Sequence, residues 1–218
     1  MNRVLVAAVV ALLPVLAAAG TLDIQPVTDG VWAIVGEKEQ RSATNLANNA
    51  TFGLLETEQG AVLIDPGGSW KGAEALHEAI RTVTDQPVLY VVNTGGQDHR
   101  WLGNGYWQAQ GAIVIASEAA VEDQQARGSM QMTMLSQLIG DALDGTEPSY
   151  ADVTFADRHT LDLGDLTLES NASSALATRA RLRNGLESSR QPVRLMSCLG
   201  TAAQRRWSGR VPIPTIIW

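Results

Sequence analysis

The sequence predicts an α/β fold built in layers, and the order of its segments is the main reason. Pairs of short strands separated by turns come first, and from residue 61 onward apolar strands alternate with helical segments. Of the 218 residues, 45% are hydrophobic and 18% are charged, which is typical of a globular domain. This composition excludes wholesale disorder and a fibrous architecture.

Two β-hairpins are expected before the alternation begins. The segment 27–36 combines an Asp-Gly turn with alternating apolar residues. Two short strands, 51–56 and 61–64, flank a turn at 57–60. Between the hairpins, the segment 41–49 is polar and rich in asparagine, which predicts a loop.

Strands and helices alternate after a turn at 65–68. The segment 69–84 carries apolar residues at helical spacing. The runs 87–92 and 112–116 are continuously apolar, as buried strands are. Between these two strands, a short helix is expected near 103–110.

A long helical region follows Ser117, whose hydroxyl suits an N-cap, and extends to about residue 143. Four apolar side chains recur on one stripe of this region: Met130, Met134, Leu138 and Ala142. We interpret this stripe as core packing rather than as a binding surface. A last hairpin is expected around Gly164, between the segments 160–163 and 166–169.

Charge and residue counts limit the possible functions. The formal net charge is −7, and an acidic surface repels phosphate backbones, so nucleic-acid binding is not expected. The single cysteine, Cys198, excludes an internal disulfide and a cysteine-rich zinc site. Only three histidines are present, namely His77, His99 and His159, and this number limits any metal site.

The first residues have the pattern of an export signal. Arg3 precedes an apolar stretch at 4–16, and three alanines follow at 17–19. We predict a signal peptide at 1–19 and a periplasmic or secreted protein that begins at Gly20 or Thr21. The alternative is a membrane anchor, but the apolar stretch is shorter than the roughly 20 residues that a spanning helix needs. No stable membrane insertion is expected after cleavage.

The segment 172–218 differs in composition from the domain predicted at 20–171. It holds eight arginines and one acidic residue, Glu187, and sustains neither helical nor strand periodicity. A native basic tail that binds acidic lipids or a partner is one explanation. We favour the other, a shift of the coding frame near Asn171, because the arginines are scattered among Ser, Leu and Gly rather than forming a block.

One pair of residues has the character of a reactive site. Asp98 and His99 follow the buried strand 87–92, and the carboxyl ends of such strands are where sites form in α/β sheets. Both residue types are zinc ligands. The alternative is that Asp98 caps the next helix and His99 is an ordinary polar residue.

The order of motifs resembles the metallo-β-lactamase-fold hydrolases. The chain reads V-L-I-D-P-G-G, an amphipathic helix, V-V-N-T, D-H, L-G-N, strand, helix and T-L-D-L-G-D-L-T-L-E, over the segment 27–169. The resemblance implies an αββα sandwich, incomplete at the C-terminus. It also implies that Asp65 is a structural acid beside the site, and that Asp98 and His99 are the last two residues of the family's H-x-H-x-D-H zinc motif.

The same resemblance implies an ancestral role in metal-dependent hydrolysis of an ester, thioester or amide bond in a small-molecule substrate. Asp98 would be the catalytic residue that orients the attacking hydroxide or takes part in proton transfer, and Asp98 and His99 would bind metal.

The chain departs from the family at the zinc motif. Gly95, Gly96 and Gln97 stand where the family has its first two histidines. A catalytic zinc needs three protein ligands, and His77 and His159 are poor candidates for the third. We therefore expect weak zinc binding at one site at most. The alternatives are a non-catalytic binding or accessory protein, and a nonfunctional fragment.

Overall fold

The computed structural model describes residues 22–164 and 166–172, and three further strands at 177–182, 193–196 and 215–217. The predicted signal peptide, 1–19, lies outside the described residues. So does most of the segment 172–218, apart from these three strands.

The first sheet has seven strands in chain order. They are β1 (Asp23–Thr28), β2 (Val31–Val35), β3 (Thr51–Thr57), β4 (Gly60–Ile64), β5 (Val88–Val92), β6 (Ile113–Ser117) and β7 (Val153–Phe155). Neighbouring strands are antiparallel from β1 to β4 and parallel from β4 to β7. Both predicted hairpins are confirmed, whereas the sequence did not indicate β7.

Three α-helices lie in the described part of the chain: α1 (Trp70–Ile80), α2 (Asn104–Ala109) and α3 (Glu118–Ile139). Ser69 begins α1, and its hydroxyl accepts a hydrogen bond from the amide of Gly72. Ser117 begins α3 as predicted, since its hydroxyl accepts from the amide of Ala120. The predicted end at residue 143 is a 3₁₀ turn, Gly140–Leu143, rather than α-helix.

The two faces of the first sheet bury different partners. One face packs against α1 and α2, and the shared core includes Phe52, Leu63, Leu76, Trp107 and Val114. Alternate residues of the same strands point the other way, as the two-residue period of a strand requires. Helices on one face of a mixed sheet confirm the predicted α/β class.

A second sheet covers the opposite face. It contains β8 (Arg158–Asp162), β9 (Leu166–Asn171), β10 (Ala177–Leu182), β11 (Val193–Met196) and β12 (Thr215–Ile217), in the order β12-β11-β10-β9-β8. The predicted last hairpin is confirmed as β8–β9, with its turn at Gly164. Contact between the sheets is apolar and includes Leu55, Val62, Val92, Leu163 and Leu168.

Three of the four apolar residues predicted as one core stripe are exposed on α3, so the interpretation was wrong for them, whereas Ala142, in the following 3₁₀ turn, is partly buried against a core cluster. Met130 is 62% exposed, and Met134 and Leu138 are 36% and 37% exposed. The buried face of α3 instead carries Gln124, Gly128, Gln131, Leu135 and Ile139. No helix in the described part of the chain has the length and hydrophobicity to span a membrane.

Candidate functional site

The candidate site lies where the parallel strands β4 and β5 end. Asp65 follows β4 directly and Thr94 follows β5 by two residues. The carboxylate of Asp65 accepts hydrogen bonds from the backbone amide of Thr94 (2.8 Å) and from its hydroxyl (2.7 Å). Asp65 has a φ of 64°, an uncommon conformation for a residue with a side chain. The position predicted for Asp65, beside the Asp98 loop, therefore agrees with its hydrogen bonds to Thr94.

Asp98 is buried and paired with an arginine from a distant loop. Both of its carboxylate oxygens accept from the guanidinium of Arg41: Nη2 donates to Oδ1 at 2.5 Å, and Nε donates to Oδ2. The Asp98 side chain is only 2% exposed, against 20% for Arg41. This is the two-pronged geometry in which arginine binds a carboxylate most strongly.

His99 lies next to this pair. Its Nδ1 is 3.3 Å from Oδ1 of Asp98. That nitrogen is buried and makes no hydrogen bond to the described residues. The structure therefore brings Asp98 and His99 together, as their adjacency in sequence predicts, and adds Arg41.

The two buried aspartates of the site differ in acidity. Burial raises the pKa of Asp65, and this effect outweighs the opposing effects of the Arg100 charge and the hydrogen bonds from Thr94. Burial acts in the same direction on Asp98. There, however, the contacts with His99 and Arg41 prevail and hold the pKa well below the usual range of an aspartate.

The loop that carries Arg41 is ordered by a buried asparagine. Asn45 is 4% exposed, and its side-chain nitrogen donates to the carbonyl of Gln40 at 2.9 Å. Its side-chain oxygen accepts from the amides of Ser42 and Ala47. These bonds fix the backbone on both sides of Arg41, which explains why the asparagine-rich segment is a loop with a defined shape.

Two glutamines of α3 hold the backbone before Asp98. The side-chain nitrogen of Gln124 donates to the carbonyl of Gly95 at 3.1 Å, and that of Gln131 donates to the carbonyl of Gly96 at 2.7 Å. Gln131 also accepts from the indole nitrogen of Trp101 at 2.9 Å. The glycine segment is therefore fixed by side chains that are themselves buried.

The motifs that carry the resemblance contact each other. A Cβ on Gly103 would lie 2.3 Å from the carbonyl oxygen of Pro66, so glycine is needed for this close approach. Asn93 and Asn104 exchange two side-chain hydrogen bonds of 2.9 and 3.0 Å. The D-P-G-G turn, the end of β5 and the start of α2 thus form one packed unit around the loop with Asp98.

The other two histidines are engaged elsewhere. Nδ1 of His77 lies 2.8 Å from the hydroxyl of Tyr106, and its ring packs against Trp107. The ring of His159 stacks on Phe155 with centroids 5.7 Å apart. Within the described residues, no group of three or more His, Cys, Asp or Glu side chains could hold a metal ion.

These residues do not fit a catalytic zinc site. Such a site needs three protein ligands and an open position for water. Asp98 and His99 supply two side chains of the right type, and both oxygens of Asp98 are already bound by Arg41. Among the described residues, the donor set therefore lacks a third ligand, and the charge of Asp98 is already balanced by Arg41.

The fold and the position of the site define a class: an α/β protein with its candidate site at the carboxyl ends of adjacent parallel strands. A family model of the metallo-beta-lactamase superfamily matches residues 47–173, more than half of the chain. The chain therefore belongs to the metallo-beta-lactamase superfamily, which confirms the resemblance seen in its motifs.

Solved structures agree with this assignment. A metallo-beta-lactamase from Cronobacter sakazakii, in a HARLDQ motif mutant, is 25% identical with a TM-score of 0.58, and the match covers 84% of this chain and 67% of that chain. A metallo-beta-lactamase from Pontibacter korlensis is 24% identical with a TM-score of 0.53, covering 74% and 67%. The match thus extends over about two thirds of each of these relatives.

Sequence reasoning missed three residues of the site: Arg41, Gln124 and Gln131. Arg41 lies 57 positions before Asp98, in a segment that predicted only a loop. The two glutamines are seven residues apart on α3, which is the spacing of one helix face. That spacing was the one feature of the sequence that could have indicated that the two glutamines act together.

Proposed function

We propose that this protein is an exported member of the superfamily that descends from metal-dependent hydrolases of ester, thioester or amide bonds. In this chain, the site holds zinc weakly, with one ion at most, and supports little turnover. The supporting observation is the donor set: Asp98 and His99 are the ligand-type side chains that the described site offers, where a catalytic zinc needs three.

The acidity of Asp98 supports low activity. Contacts with His99 and Arg41 hold its pKa well below the usual range, so at neutral pH it remains an anion and is a weak proton acceptor. A general base works best with a pKa near the operating pH. Asp98 is therefore better suited to orienting a neighbour than to accepting a proton.

A non-catalytic binding or accessory role is the second candidate, and the Arg41–Asp98 pair favours it. The pair balances the buried charge of Asp98 without a metal, so the loop can keep its shape in the metal-free protein. A nonfunctional fragment is the third candidate. It depends on the segment 172–218 being out of frame, and reading the DNA beyond Asn171 in the other frames tests that.

The deciding experiment combines metal analysis with hydrolysis assays on the purified protein. We expect at most one zinc per chain, weakly held, and slow or undetectable turnover of ester, thioester and amide substrates. His99→Ala should abolish whatever zinc is bound. His159→Ala is the matched control, because the ring of His159 stacks on Phe155 and not against Asp98. Two tightly held zinc ions, with turnover lost on chelation, would refute the proposal.

Export rests on the pattern of residues 1–20 alone. N-terminal sequencing of protein recovered from the periplasm or medium should begin at Gly20 or Thr21. Recovery of a chain that retains Met1 and requires detergent for extraction would favour the membrane anchor instead.

A further inference from the structure

The buried carboxylate of Asp98 requires a positive partner. A buried charge is tolerated only when it is paired and hydrogen-bonded. At the Asp-His end of the family's motif that partner would be a metal ion, whereas here Arg41 donates to both carboxylate oxygens. A zinc ion at Asp98 would have to displace these bonds or lie beside the positive charge of the guanidinium.

The backbone around Asp98 is built for the same metal-free state. The carbonyls of Gly95 and Gly96 are bound by Gln124 and Gln131, so the segment in place of the family's first zinc histidines is held by its own partners. A Cβ at Gly96 would lie 2.2 Å from Oδ2 of Asp123. A histidine at this position would therefore have to displace the Asp123 side chain.

The loop that presents Arg41 is fixed as well. Asn45 bonds the backbone on either side of Arg41, and Asn48 donates to the carbonyl of Gly72 at 2.8 Å. Arg41 therefore reaches Asp98 from an ordered support rather than from a free surface chain. The hydrogen bonds of the loop therefore hold Arg41 in place, as the residues around a functional site must hold its side chains.

We propose that the guanidinium of Arg41 is the resident cation of this site, neutralising Asp98 in place of a metal ion, and that removing it turns Asp98 and His99 into a metal-binding pair. Arg41 is a positioning residue in this assignment: it holds the Asp98 loop and excludes metal. The inference deepens the proposed function, since it explains the weak zinc binding on which that proposal rests.

The test is a zinc titration of the full chain against a chromophoric chelator. Arg41→Ala should bind one zinc at least about tenfold more tightly than the wild type, because both oxygens of Asp98 become available. Arg41→Lys should fall between the two, since a lysine presents a point charge and cannot bind both oxygens in parallel. Arg81→Ala, on the exposed end of α1, is the matched control and should leave the affinity unchanged.

A second variant locates the gain. In Arg41→Ala/His99→Ala, the gain should be lost and zinc affinity should be no higher than that of the wild type, because one ligand of the pair is gone. A gain that persists without His99 overturns the assignment to this pair. A folded Arg41→Ala protein with the wild-type zinc affinity overturns the role of Arg41.

Loss of folding in Arg41→Ala does not leave the question open, because Arg41→Lys can be followed by thermal unfolding. Zinc should raise the Tm of Arg41→Lys more than that of the wild type, and equal shifts would overturn the proposal. Failure of the proposed function looks different: there, the wild type itself would hold zinc tightly and hydrolyse substrate. The role of Arg41 depends only on the ratio of affinities between variant and wild type.

Discussion

Two buried aspartates stand at the same edge of the sheet, and their surroundings shift their pKa values in opposite directions. Asp65 is hydrogen-bonded mainly by the neutral Thr94, and burial raises its pKa. Asp98 is equally buried but contacts Arg41 and His99, which hold its pKa well below the usual range. Burial alone therefore does not set the acidity of a carboxyl here; the charge and reach of its partners do.

The largest effect in this comparison should come from removing the partner of Asp98. We expect Arg41→Ala to lower the free energy of unfolding by about 3–5 kcal/mol, because it leaves an uncompensated buried carboxylate. Urea unfolding of wild type and variant at neutral pH measures the difference. A loss below about 1 kcal/mol would mean that the pair behaves as an exposed one.

The next largest effect is expected in the pH dependence of stability, to which the two aspartates should contribute with opposite signs. The pKa of Asp98 is lower in the folded than in the unfolded chain, so its contribution to stability is complete above about pH 4 and is lost as the pH falls toward its folded pKa. The pKa of Asp65 is raised on folding, so its contribution has the opposite sign: unfolding becomes easier as the pH rises from about 4 through its folded pKa.

Unfolding midpoints between about pH 3 and 6 test both signs, within the range where aspartates titrate. Asp98→Asn should flatten the loss of stability at the acid end, and Asp65→Asn should remove the opposing slope. If Asp98→Asn and the wild type lose stability in parallel below about pH 4, Asp98 is not the group responsible.

Asp65→Asn at neutral pH should cost less than the loss of Arg41. An asparagine keeps one acceptor for the amide of Thr94 and cannot carry the charge that burial disfavours, so we expect about 1–3 kcal/mol from the disturbed hydrogen bonds. Asp65→Ala is the harsher companion, because it leaves the Thr94 amide without its acceptor. If Asp65→Asn lowers the free energy of unfolding as much as Arg41→Ala does, the expected difference between the two aspartates is contradicted.

The sequence was informative where the signals are local. Turn residues marked the three predicted hairpins, and Ser117 occupies the N-cap of α3 as expected. Helix caps and turns involve residues that are neighbours in the chain, so composition and spacing are enough to predict them. The Asp98–His99 pair was visible for the same reason, since the two residues are adjacent.

Long-range contacts and the orientation of α3 were not predictable in this way. Arg41 pairs with a residue 57 positions away, and no local pattern joins them. On α3, the spacing of Met130 and Met134 defined a face correctly but did not tell whether it was buried. The buried face contains Gln124 and Gln131, which look like surface residues until their partners, Gly95 and Gly96, are known.

The smallest effect is expected where the same kind of charge pair lies in solvent. Arg81 and Glu78 form an ion pair of 3.3 Å on α1, but their side chains are 63% and 67% exposed. Water screens such a pair and holding it costs side-chain entropy, so Arg81→Ala should change the free energy of unfolding by less than about 1 kcal/mol. The same urea experiment, run at low and high salt, measures it. Arg41→Ala and Arg81→Ala both remove a guanidinium beside a carboxylate. A similar loss of unfolding free energy in both variants would show that the burial of Asp98 does not strengthen its pair with Arg41.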